Sequence, residues 1–97
     1  MIVHIVVFDF KEEDKYENIL KVKEMLEALP SKIDELLEME IGVDFSRSER
    51  ACDMSLYSTF KTQEDLKVYA THPAHLEVLA IIREVVEKTR VVDYLKA

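Results

Sequence analysis

Residues 2–10 read Ile2-Val3-His4-Ile5-Val6-Val7-Phe8-Asp9-Phe10. The stretch is rich in Val, Ile and Phe and too short for a typical helix, so it reads as a strand. Side chains alternate across a strand. His4, Val6, Phe8 and Phe10 therefore share one face, and Val3, Ile5, Val7 and Asp9 share the other. Both faces are largely apolar, and an apolar face must be buried against another layer. Helices can cover one of them. In a chain of 97 residues, covering the other calls for a second subunit.

Downstream the period changes. From Glu13 to Leu29, Tyr16, Ile19, Leu20, Val22, Leu26 and Leu29 recur mostly at three- and four-residue spacings. That predicts an amphipathic helix. Pro30 ends it, because proline disfavours helical geometry in the residue before it. Ser31 is placed to cap a short turn through Leu36. Leu37, Met39, Ile41, Val43 and Phe45 then alternate with polar residues and Gly42, as a half-buried strand does. After the polar turn 46–50, Ala51 to Phe60 alternates again. Cys52, Met54, Leu56 and Phe60 fall on one face; Asp53, Ser55, Tyr57 and Thr59 fall on the other. The two strands should form an antiparallel hairpin. Thr62-Gln63-Glu64-Asp65 resembles a capping box and should start a helix through Ala70. Pro73 suits the first position of a further helix carrying Leu76, Leu79, Ile82, Val85 and Val86. Val91 to Leu95 reads as the closing strand.

The order strand, helix, strand, strand, helix, strand is that of the α+β ferredoxin-like fold, β-α-β-β-α-β. It predicts a four-stranded antiparallel sheet with helices on one face. The chain has no repeats, so a single domain spans 1–97. Apolar residues are 48% of it, enough for a core and too many for disorder. Asp and Glu number 20 against 13 Lys and Arg, a net charge of −7 with no basic patch, which argues against nucleic acid as a partner. Met1 leads directly into the apolar strand with no basic stretch before it, so no signal peptide is expected. No apolar run is long enough to span a bilayer. The expectation is a soluble cytoplasmic protein with no membrane partner. Cys52 is the only cysteine, so no intrachain disulfide can form, and it reads as an apolar filler.

The candidate chemistry gathers on three histidines. The first and last strands of this fold are neighbours, so helix-facing His4 and Asp93 can converge with Tyr69 and His75 under the helices. Histidine transfers protons near neutral pH, and a neighbouring carboxylate would fix its tautomer. Each residue also has a plain structural reading. His4 can be a hydrogen-bonded core residue, His75 can bond a nearby carbonyl, and Tyr69 can bury its ring with the hydroxyl at the rim. Asp93 can bond backbone amides, and His72 reads most simply as the cap before Pro73. His72, His75, His4 and Asp93 could together offer metal ligands, but His72 and His75 straddle a helix start and complete no standard spacing. With one glycine there is no phosphate-cradling loop. No metal or cofactor is expected.

Several segments resemble the stress-responsive α/β-barrel (Dabb) domain family. They are Val3 to Lys11, Asp53 to Phe60, Glu64 to His75, and Val92-Asp93-Tyr94. The pattern Tyr69-x-x-His72-Pro73-x-His75 is the most specific part. The resemblance implies a ferredoxin-like protomer whose sheet packs face to face with a second copy in a dimeric α/β barrel. The family includes plant stress proteins without assigned chemistry. It also includes a polyketide cyclase that makes olivetolic acid by intramolecular aldol condensation, using a His and a Tyr between sheet and helices. His75 and Tyr69 match those positions, and His4 and Asp93 match the residues that line or support the site. Leu76, Val78 and Leu79 are bulkier than the cyclase's sequence there, which implies a smaller pocket. The expectation is a homodimer with a small-molecule pocket in each protomer and His75 as general base. In it Tyr69 bonds a carbonyl or enolate oxygen, Asp93 orients a histidine and His4 lines the floor. The alternative is a non-catalytic stress-associated protein whose polar cluster ties the helices to the sheet.

Overall fold

The computed structural model describes residues 1–97. Strands β1 (Ile2–Phe10), β2 (Leu36–Val43), β3 (Met54–Phe60) and β4 (Val86–Leu95) form one antiparallel sheet in the order β2-β3-β1-β4. Helices α1 (Lys15–Glu27), α2 (Gln63–Thr71) and α3 (Pro73–Val85) pack on one face of it. This is the ferredoxin-like α+β arrangement expected from the element order. The core lies between the layers. Ile2, Val6, Phe8 and Phe10 of β1, Leu56 and Phe60 of β3, and Ile19, Val22 and Leu26 of α1 are all buried there. Burying such side chains stabilises the fold by about 1.5–3 kcal/mol each before entropy is counted.

Local chemistry sets most of the boundaries. Thr62 accepts the Asp65 amide at 3.1 Å and so caps α2. Pro73 holds His72 in an extended conformation and opens α3. The helix before Pro30 is shorter than expected and closes through a 3₁₀ turn, Leu29–Ser31. Ser31 does not cap the next turn; its hydroxyl donates back to the Ala28 carbonyl.

Several face assignments are corrected. Leu36, not Leu37, enters the core, because an irregularity between Leu36 and Glu38 shifts the register of β2 against β3. Phe45 lies beyond β2 and is 95% exposed. Tyr16 and Leu20 are exposed, so the apolar stripe of α1 is narrower than its sequence suggests. Val86 is not helical. It pairs with Phe10, and β4 starts five residues earlier than Val91. Cys52 precedes β3, outside its alternation. It is half-buried in a groove with Val7 and Ser55, on the side of the sheet away from the helices. Asp53 is buried: it receives the Phe10 amide at 2.8 Å and the Arg47 guanidinium at 2.9 Å, with the Lys15 ammonium at 3.3 Å. On the helix-free face Ile5 and Val7 are half-buried, but Val3 is already fully buried between its sheet neighbours Thr59 and Tyr94.

Candidate functional site

The motif Tyr69-Ala70-Thr71-His72-Pro73-Ala74-His75 builds the site through one helix break. In a continuous helix the Ala74 amide would bond the Ala70 carbonyl four residues back. Pro73 prevents that by extending His72. The His72 ring turns over the break, and its Nδ1 accepts the Ala74 amide at 3.0 Å. His72 is therefore the cap of α3, as its place before proline suggested. The orphaned Ala70 carbonyl takes a new donor, Nδ1–H of His75, at 3.0 Å. A carbonyl can only accept, so Nδ1 of His75 carries the proton and Nε2 of the neutral ring is left as a bare base. Burial pushes the His75 pKa below its ordinary value, with His4 and His72 adding to the effect and the Ala70 bond opposing it. The ring is held neutral, with the Nε2 lone pair unprotonated.

Tyr69 faces His75 across 4.2 Å between ring centroids. Its ring is 2% exposed and also packs on Phe60 at 5.1 Å. Burial raises the pKa of the hydroxyl far above its ordinary value, so it stays a protonated donor. No hydrogen bond within the chain engages it, although no fully buried side-chain polar atom lacks a partner. The hydroxyl therefore meets open space.

The sheet completes the cluster. His4 and Asp93 stand directly opposite in the β1–β4 register. Nδ1–H of His4 donates to Oδ1 of Asp93, which orients the ring. The His4 ring lies 6.2 Å from Tyr69, edge to face. His4, Tyr69 and His75 share one cavity of about 490 Å³ between the sheet and α3. Asp93 stands behind His4 and opens instead onto a separate surface groove beside Gln63 and Lys67. The structure thus brings His4, Tyr69 and His75 to one cavity, while Asp93 joins them only through its bond to His4 and lies outside the cavity. His72 is engaged as a cap, and no cluster of three or more His, Cys, Asp or Glu side chains is set to hold a metal.

Two wall residues were not anticipated. Arg83, in the last turn of α3, and Thr89, opposite Phe8 on β4, line the far end of the same cavity. The only signal for Thr89 was its parity with Val91 and Asp93, hidden because the strand appeared to start later. For Arg83 it was its place eight residues after His75.

No helix is long and apolar enough to cross a membrane. The profile of the stress responsive A/B barrel domain matches residues 2–96. A stress-response A/B barrel domain-containing protein of Arabidopsis thaliana is 31% identical over 94 residues, covering 94% of this chain and 82% of the relative. A dimeric protein of unknown function with a ferredoxin-like fold from Bacteroides fragilis is 36% identical. It superposes with a TM-score of 0.88 over 96% of this chain and 93% of its own. The hydroxynitrile lyase of Passiflora edulis, 23% identical, shares the fold at a TM-score of 0.87, over 99% of this chain and 93% of its own. With nearly its whole length matched by the profile and by the plant relative, the chain belongs to the stress responsive A/B barrel domain family.

Proposed function

We propose that the protein is a cytoplasmic homodimer whose protomers each bind a small carbonyl compound and move a proton on it, chemistry of the kind used by polyketide cyclases. One observation carries the chemistry: a neutral imidazole with a bare Nε2 lies 4.2 Å, ring to ring, from a tyrosine whose hydroxyl is unengaged, on the wall of one cavity. Nε2 of His75 takes a proton from the carbon beside the carbonyl and becomes imidazolium. The electrons of the broken C–H bond form the enolate, and the negative charge gathers on oxygen. The Tyr69 hydroxyl donates to that oxygen, in an enclosed place where such a bond stabilises developing charge most. His4 forms the floor, held by Asp93. The same fold supports an enzyme in the Passiflora protein, which shows that the scaffold accommodates catalysis.

Pairing rests on the helix-free face. Ile5 and Val7 are half-buried, and Val92 and Tyr94 on the same face are 53% and 44% exposed. Covering apolar surface contributes about 25 cal/mol per Å² before association costs, and the Bacteroides relative is dimeric. Sedimentation should show a dimer for the native chain and for Ile5→Val, and a monomer for Ile5→Lys. A native monomer at micromolar concentration sinks the pairing.

The chemistry is tested by following hydrogen–deuterium exchange at the carbon beside the carbonyl of a panel of aryl and alkyl ketones in heavy water. Exchange above buffer should appear with the native protein and vanish with His75→Leu and Tyr69→Phe. One observation favours the non-catalytic alternative: Tyr69 packs against Phe60 and His75 at once, as a structural tie would. No exchange with any ketone, together with a large loss of stability in both variants, supports that alternative.

A further inference from the structure

We infer that the ligand of this cavity is an anion with an apolar body, its carboxylate or equivalent head held by Arg83 and Thr89, far from the Tyr69–His75 pair. The inference rests on the reading of the cavity as a ligand site and adds which class of molecule enters it.

The cavity has two polar ends and an apolar middle. His75 and Arg83 lie eight residues apart on α3, which at 1.5 Å per residue is about 12 Å along the helix axis. Between them the walls are Leu79 and Ile82 of α3, Val6 and Phe8 of β1, and Leu56 of β3. Such walls exclude small hydrated anions such as inorganic phosphate and admit a molecule that replaces water with carbon. Spanning that length of helix takes roughly ten bonds of an extended molecule, so a ligand with its head group at Arg83 reaches Tyr69 and His75 only if its apolar body is elongated.

Arg83 is free to bind it. Its guanidinium forms no ion pair within the chain, although carboxylates outnumber cationic side chains 20 to 13. Arg47 shows what engagement looks like here, with Asp44 at 3.1 Å and Asp53 at 2.9 Å. A guanidinium presents a rigid fork that matches a carboxylate or sulfonate with two parallel bonds. Thr89 lies on the helix side of β4 opposite Phe8 and offers a hydroxyl beside it. Lys88 also lines this end of the cavity, although its backbone pairs with Asp9 beside an irregularity in the register; Arg83 is the cation carried by the helix wall. Glu87 lies at the same mouth and is the resident competitor for Arg83. It weakens binding of an anion without forming an ion pair of its own.

Two fluorescent probes of similar shape test this: 8-anilinonaphthalene-1-sulfonate, which is anionic, and N-phenyl-1-naphthylamine, which is uncharged. Native protein should bind the sulfonate roughly tenfold more tightly than the uncharged probe. Arg83→Gln should abolish that preference, leaving the uncharged probe within about twofold of native. Thr89→Val should lose part of it, and Glu87→Gln should strengthen sulfonate binding. Leu79→Trp, which fills the middle of the cavity, should expel both probes and so locate them; circular dichroism checks that each variant is folded. If Leu79→Trp expels both probes while Arg83→Gln leaves the sulfonate unaffected, the anion inference is overturned and the ligand site stands. If a folded Leu79→Trp retains both probes, or native protein binds neither, the ligand site itself falls and the inference falls with it.

Discussion

Two polar clusters sit at opposite ends of β1, and they differ in how completely their hydrogen-bonding capacity is used. At the C-terminal end the buried Asp53 carboxylate is saturated: one oxygen takes the Phe10 amide and faces Lys15, the other takes Arg47. At the N-terminal end His4 is tied to Asp93, but Nε2 of His75 and the Tyr69 hydroxyl are left open to a cavity. A saturated cluster gains its bonds from folding itself and loses them on mutation. An unsaturated one keeps its donors and acceptors open to whatever enters the cavity, and folding gains little from them. That difference separates a structural role from a functional one without reference to residue type, since both clusters contain an aspartate and a cation or histidine.

The largest expected effect breaks the saturated side. Asp53→Ala strands the Phe10 amide and leaves Lys15 and Arg47 without their shared partner. Denaturant unfolding should show a loss of about 3 kcal/mol. Asp53→Asn keeps an acceptor and should fall between that variant and native. Acid sharpens the point. Burial works against the Asp53 carboxylate, but the Phe10 amide, Arg47 and Lys15 outweigh it and hold its pKa below the ordinary value. A depressed carboxylate contributes stability that is complete above its unfolded pKa, about 3.9, and is lost as pH falls through the folded value. Native protein should therefore lose stability below about pH 4 more steeply than Asp53→Asn. A cost under about 1 kcal/mol for Asp53→Ala would remove the contrast between the two ends.

His75→Leu is next in size. It removes one hydrogen bond, to the Ala70 carbonyl, and should cost about 1 kcal/mol at pH 8. The pH dependence runs in a definite direction. The folded pKa of His75 is depressed, so below about 6.5 the unfolded chain takes up a proton that the folded chain resists. Native stability falls as pH drops through that region, and a leucine has no such penalty. The deficit of His75→Leu should therefore shrink between pH 8 and pH 5.5 in urea titrations. An equal deficit at both values would mean that His75 is not held neutral.

What could be read from the chain follows the range of the interactions involved. The His72–Pro73 cap, the Thr62 cap and the meeting of His4 with Asp93 depend on local chemistry or on the one pairing that the strand order dictates, and all were legible. The fate of Asp53 was not, because its partners Phe10 and Lys15 lie far earlier in the chain and meet it only when the sheet assembles, with Arg47 reaching it from the preceding turn. Alternation put it opposite Met54 and Leu56, and said nothing of the partners that bury it. Leu36 displaced Leu37 for a similar reason: both fit the local pattern, and only the pairing with Phe60 chooses. Arg83 and Thr89 converge on the cavity because α3 runs directly into β4, a join that the sequence pattern had placed five residues too late.

The smallest expected effect is the most discriminating. Tyr69→Phe leaves the ring, and with it the contacts to His75 at 4.2 Å and Phe60 at 5.1 Å. It removes a hydroxyl that has no partner in the protein and opens onto the cavity. The stability change should therefore lie within about 0.5 kcal/mol of zero. Had the hydroxyl been a tie between helix and sheet, its loss would leave an unpaired buried group and cost about 1–3 kcal/mol. Urea unfolding separates the two, and the ketone exchange assay supplies the other half. Native-like stability with lost exchange assigns Tyr69 to the unsaturated end. A loss near that of Asp53→Ala would instead move it to the saturated end and take the proposed proton transfer with it.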